Sequence, residues 1–240
     1  MLRKLAETRG RASRTRNMVI GRRKASRGVV VVSLVGSLAL GVVGCTEGGG
    51  AAKRDDRAVR GTQLCGGDAI SAEAGKALNV ITGSSRFEPS GPEDTVAHAA
   101  RSLGDAYASP AADGGDICHV YAIDSVPNDR LEVTWDLTWG PSESEPAPEF
   151  TVLPMGEQAL AAPNAGIIRF ACRSEKLPGP EPTHIRLAVE RWSPTDPEGD
   201  PEELKDAYAT VAHSFALALA KELRCENDGG LEPRPALDPV

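Results

Sequence analysis

Leu131, Val133, Trp135, Leu137 and Trp139 alternate with Glu132, Thr134, Asp136 and Thr138. An apolar–polar period of two is the mark of a strand with one buried face. Shorter apolar runs at Ile117–Ile123, Ile167–Cys172 and Ile185–Val189 predict three more strands, with Phe150–Leu153 as a short edge strand. The run Ile185–Val189 is bracketed by proline-rich loops, 178–182 and 194–201. These connections are too short for helical crossovers, so the sheet is expected to be antiparallel.

A helical period flanks this block on both sides. Ala74, Ala77, Leu78 and Ile81 form an i, i+3, i+4, i+7 stripe behind the N-cap Ser71, and Gly83 stops it. Val96, Ala99, Ala100, Leu103 and Tyr107 form a second stripe, expected to start behind Ser90 with Pro92 in its first turn. Near the C-terminus, Asp200-Pro-Glu-Glu reads as a capping box before Leu204, Tyr208, Val211, Phe215 and Leu219. Ala212, Ala216 and Ala220 on that helix allow close approach by a neighbour. With helices at the ends and strands between, the expected fold class is α+β. Its form is two N-terminal helices, a largely antiparallel sheet of four or five strands, and a long C-terminal helix across one face.

The first 44 residues belong to a different kind of segment. Residues 1–27 hold ten Lys or Arg and one acid, Glu7. The run Gly28–Gly44 has no charge and four glycines, and at seventeen residues it suits a signal h-region better than a membrane span. It closes on Val42-Val43-Gly44-Cys45, which resembles the lipobox of bacterial lipoproteins. That resemblance implies a diacylglycerol on the Cys45 sulfur and cleavage between Gly44 and Cys45. Two acyl chains, at ~0.8 kcal/mol per buried CH₂, suffice for stable anchoring. The start at Met1 or Met18, and export through the Arg22-Arg23 twin arginine or otherwise, stay open. The expected organisation is a signal peptide over 1–44, a lipidated Cys and tether over 45–62, an extracytoplasmic domain over 63–226, and a disordered tail over 227–240. The tether Thr46–Thr62 has a coil reach of roughly 20–25 Å.

Removing the leader changes the charge. The whole chain has 27 basic and 34 acidic residues; residues 45–240 keep 17 and 33, a net charge near −16. Nucleic acid is excluded as a partner, because phosphate contacts need clustered Lys and Arg. The membrane partner is reached through the lipid, since anionic head groups repel such a body. Four cysteines follow Cys45, an even count that reads as two disulfides in an exported chain. Of three pairings we expect Cys65–Cys118, which ties the first helix to the first strand. The second is Cys172–Cys225, which joins a strand sharing the face of Ile168 and Phe170 to the buried side of the last helix.

Motifs for chemistry are sparse. There is no Gly-x-Ser-x-Gly elbow, phosphate loop or dinucleotide fingerprint, so no cofactor is expected. His98, His119, His184 and His213 have neither metal-ligand spacing nor a carboxylate in a motif, so no metal is expected. The acid-rich stretch Asp196–Glu203 lacks the downstream glutamate of a calcium loop and is explained by helix capping. Trp135 and Trp139 share a face, as core packing requires and as a ligand groove would allow; Trp192 is a further groove candidate.

The lipobox with its glycine-rich tether, Cys65-Gly66-Gly67 before a Ser-capped helix, and a last helix ending in Cys225 together resemble small lipoproteins of high-GC Gram-positive, actinobacterial-type bacteria. The resemblance implies a place on the outer face of the cytoplasmic membrane and brings no activity. The expected function is a lipid-anchored module that binds an unknown protein or small ligand. The alternatives are an envelope hydrolase using dispersed carboxylates, without catalytic residues that can be named, and a passive accessory of a secretion or transport system.

Overall fold

Six strands form one antiparallel sheet in the order β1-β2-β6-β5-β4-β3. They are β1 (Gly114–Val120), β2 (Arg130–Thr138), β3 (Thr151–Leu153), β4 (Gln158–Ala162), β5 (Ala165–Cys172) and β6 (Thr183–Trp192). The helices are α1 (Ala72–Thr82), α2 (Val96–Tyr107) and α3 (Pro201–Leu223). The computed structural model describes residues 57–109, 114–138, 140 and 145–240. Gly44, Cys45, most of the tether and Trp139 lie outside the described residues.

The α+β class expected from the sequence is the one observed, with one strand more than the four or five anticipated. The extra strand is β4. Its sequence, Gln-Ala-Leu-Ala-Ala, has no β-branched or aromatic residue, so strand propensity does not mark it. Alanine serves another purpose there. Ala159 and Ala161 share the buried face with Gly166 and Ile168 of β5, to which they pair. Small side chains at these positions let α3 lie close across β4 and β5.

The alternation in β2 works as its sequence implies. Leu131, Val133 and Trp135 are buried, and directly opposite on β6 stand Val189 and Leu187. This face carries α2 against β1 and α3 against β4–β6, while α1 packs on α3. The other face presents polar pairs such as Arg186–Asp136 at 2.9 Å. At the end of the β2–β6 pair, Arg191 holds Asp129 through two hydrogen bonds of 3.0 and 2.9 Å, fixing the loop that leads into β2.

Capping follows sequence in α1 and α3. Ser71 accepts from the Ala74 amide, and Gly83 closes the helix at φ 65°. Asp200 accepts from the amides of Glu202 and Glu203, and Pro201 takes the first turn. The start of α2 differs from expectation. Thr95, not Ser90, is the N-cap and accepts from the His98 amide. Ser90 is used elsewhere: its hydroxyl accepts from the Cys65 amide at 2.9 Å and lies 3.6 Å from the Cys118 sulfur.

Both disulfides join the expected partners, Cys65 with Cys118 and Cys172 with Cys225. The segment 227–240, expected to be a disordered tail, has defined contacts. A 3₁₀ turn, Glu226–Gly230, delivers Leu231 into the core at 5% exposure, and Leu237 packs half-buried beside it. Burying one leucine contributes roughly 1.5–3 kcal/mol toward holding this short proline-rich segment in place. The chain ends with the Val240 amide donating to the Val152 carbonyl on β3.

Candidate cleft between α2 and the edge of the sheet

The buried stripe of α2 is Val96, Ala99, Ala100, Leu103 and Ala106. Rotating one position along the helix surface brings up His98, Ser102 and Asp105, again at i, i+4 and i+7. This second stripe does not meet the sheet. It overlooks β1, the terminal strand, and between the two lies a cleft of about 610 Å³. From β1 the cleft receives Gly114, Gly115, Asp116, Ile117 and His119. Glu93 and Asp94, just before α2, close one end.

Trp135 borders the cleft from β2. It pairs across the ladder with Gly115, and a β-carbon on Gly115 would stand 3.1 Å from the indole ring. The glycine therefore makes room for the indole to reach across toward the sheet edge. Trp135 is 1% exposed, and its Nε1–H has no hydrogen-bond partner among the described residues. A buried donor without an acceptor is costly, by about 1–3 kcal/mol. The sequence allowed Trp135 either a core or a groove role; it occupies the core and reaches the cleft as well.

The cleft is acidic. Glu93, Asp94, Asp105 and Asp116 line it, and among the described residues no Lys or Arg does. Glu93, Asp105 and Asp116 are exposed and Asp94 is half-buried. Among the described residues no carboxylate is buried; the buried polar side chains are His213 and Ser214. An acid–base pair of the glycan-cleaving type needs one carboxyl held protonated by an apolar setting. Three exposed carboxylates and a half-buried one are better suited to attracting a cation than to protonating a leaving group.

The histidines, which form no sequence motif, are partly gathered by the fold. His98 and His119 both line the cleft, with His119 Nδ1 3.9 Å from Asp94 Oδ1. His184 acquires a carboxylate partner as well, Glu157 Oε2 at 2.8 Å from its Nδ1, on the polar side of the sheet. His213 is buried in α3. These partners come from segments far apart in the chain, which spacing rules cannot detect. Among the described residues no group of three or more His, Cys, Asp or Glu is placed to hold a metal ion. Asp200 in the acid-rich stretch is engaged as a helix cap. Trp192 is 60% exposed, with the Arg130 guanidinium 5.5 Å over its ring.

No helix among the described residues is long and apolar enough to cross a membrane. No protein-family model, curated protein or solved structure matches this chain.

Proposed function

We propose that this protein is a lipid-anchored binding module of the cell surface, held by a diacylglyceryl group on Cys45 at the outer face of the cytoplasmic membrane, whose α2–β1 cleft takes its ligand. One observation carries the binding role. A cleft of drug-sized volume is bordered by Trp135, whose buried indole N–H has no acceptor among the described residues, while its rim offers the exposed carboxylates of Glu93, Asp105 and Asp116. A ligand with an acceptor and a positive charge satisfies both. The openness of the carboxylates to solvent favours binding over the hydrolase alternative.

The test is a cleft-filling variant. Peptides, polyamines and oligosaccharides are screened for a rise in Tm of the wild-type protein, and each active compound is repeated on Ser102→Trp. The reading expects the rise to vanish in the variant, and to weaken in Trp135→Phe, which keeps an aromatic, though smaller, ring and removes the N–H. A ligand that stabilises Ser102→Trp as strongly as wild type places the site elsewhere.

A further inference from the structure

β1 is an edge strand. Among the described residues β2 is the one strand that pairs with it, and no other backbone hydrogen bond engages Gly114–Val120. The opposite edge is different, because there the chain's own Val240 donates to Val152 on β3. Just beyond β1 the chain also supplies its own neighbour: Phe87 bridges Ala122, and the Glu88 amide donates to the Tyr121 carbonyl. Ser90 and Asp94 then lie against Cys118 and His119. A β-bulge between Asp116 and Cys118 interrupts the β1–β2 ladder at the same place, after which pairing resumes from Cys118 to Val120. Among the described residues, what remains without a neighbour is Gly114 to Asp116, since Ile117 is 1% exposed, and this stretch forms one wall of the cleft.

We infer that the occupant of the cleft is an extended polypeptide segment bearing basic side chains, added as a seventh strand along Gly114–Asp116. The inference rests on the reading of the cleft as a ligand site and names the class of ligand. An unpaired edge offers alternate N–H and C=O groups to an incoming strand, the basis of β-augmentation. The two glycines at the start of this edge give their side-chain space to Asp136 and to the Trp135 indole, which brings that indole up to the edge strand. The side chains of an added strand alternate between two directions. On one side they meet Asp105 of α2 and on the other Asp116, so Lys or Arg finds an acid either way. Carbonyl oxygens of the same backbone are acceptors of the kind the Trp135 indole lacks.

The test is fluorescence anisotropy of labelled synthetic peptides with the full chain in detergent. The peptides are an alternating Lys–Val sequence, its Glu–Val counterpart, and two Lys–Val forms N-methylated at alternate amides in the two possible registers. The Lys–Val peptide is expected to bind and the Glu–Val peptide not to. N-methylation in one register should weaken binding by about tenfold or more, since it removes two or so strand hydrogen bonds, while the other register is tolerated. Asp105→Asn and Asp116→Asn should each weaken the Lys–Val peptide. Equal binding of both N-methylated forms would reduce the interaction to charge and overturn strand addition. Lack of peptide binding, alongside a polyamine or oligosaccharide whose stabilisation is lost in Ser102→Trp, overturns this inference and leaves the cleft reading intact. Peptide binding unchanged in Ser102→Trp removes the cleft reading itself.

Discussion

A β-carbon placed on Gly166 would stand 2.5 Å from the carbonyl oxygen of Tyr208 and 3.1 Å from the Ala212 β-carbon. The backbone of β5 thus touches the backbone of α3, and no side chain fits between them. Gly166→Ala is expected to lower stability by about 1–3 kcal/mol and Gly166→Val by more, because the helix must lift from the sheet. Urea unfolding of the two variants, with an unchanged m-value, measures it; a stable Gly166→Val protein would mean the helix is free to shift.

The disulfides each close a separation of 53 residues. The chain-entropy estimate for such a loop is about 4 kcal/mol. Replacing Cys172 and Cys225 together by Ser should cost up to that amount, and the change should be smaller in a reducing buffer, where the wild type loses the bridge too. Non-reducing peptide mapping that joined Cys118 to Cys172 would be incompatible with this arrangement.

For the anchor, the expectation is that the full-length protein labels with fatty acid in a Gram-positive host and partitions into detergent. Cys45→Ala should lose the label and either release the protein or leave the signal uncut. Persistent labelling of that variant would exclude Cys45 as the lipid site.

His213 gives the fold a sensitivity to acid. Burial holds its pKa below the ordinary 6.5, with a hydrogen bond to the Glu232 backbone acting in the opposite direction and Lys221 reinforcing the depression. The folded state keeps the imidazole neutral where the unfolded chain has begun to protonate it. The unfolded state therefore binds more protons just below pH 6.5, and stability falls as pH drops through that range. His213→Gln should flatten this part of the curve of Tm against pH. The same slope in wild type and variant would assign it to other groups.

How much of this was legible depends on what each residue answers to. β2 could be read from Leu131 to Leu137 because its two faces meet different surroundings, and α3 from Asp200-Pro201 because the cap is a local bond. β4 could not be, since Ala159 and Ala161 are chosen for the clearance of a helix that arrives some forty positions later. Ser90 looked like a cap and turned out to support a disulfide, a role visible only once Cys65 and Cys118 are joined. The cleft has the same character. His98 and Asp105 are ordinary exposed positions of an amphipathic helix, and Asp116 is an ordinary strand residue. Only the sheet order, which leaves β1 at the edge, makes them face one space. The signal that could have been followed was Gly114-Gly115 at the start of a strand, since paired glycines there weaken a strand unless another group needs the room.

The sheet order also sets a timetable. β1 and β2 are made early, yet β2's other neighbour is β6, the last strand of the chain, and α3, which roofs β4–β6, follows even later. A ribosome or export channel that has released residues 57–182 has released a hairpin and a meander with nothing between them. The halves are joined only when Thr183–Trp192 emerges and slides in as the keystone, and contacts this distant in sequence form slowly. A chain that stays open until its final quarter is well suited to threading across a membrane before it folds.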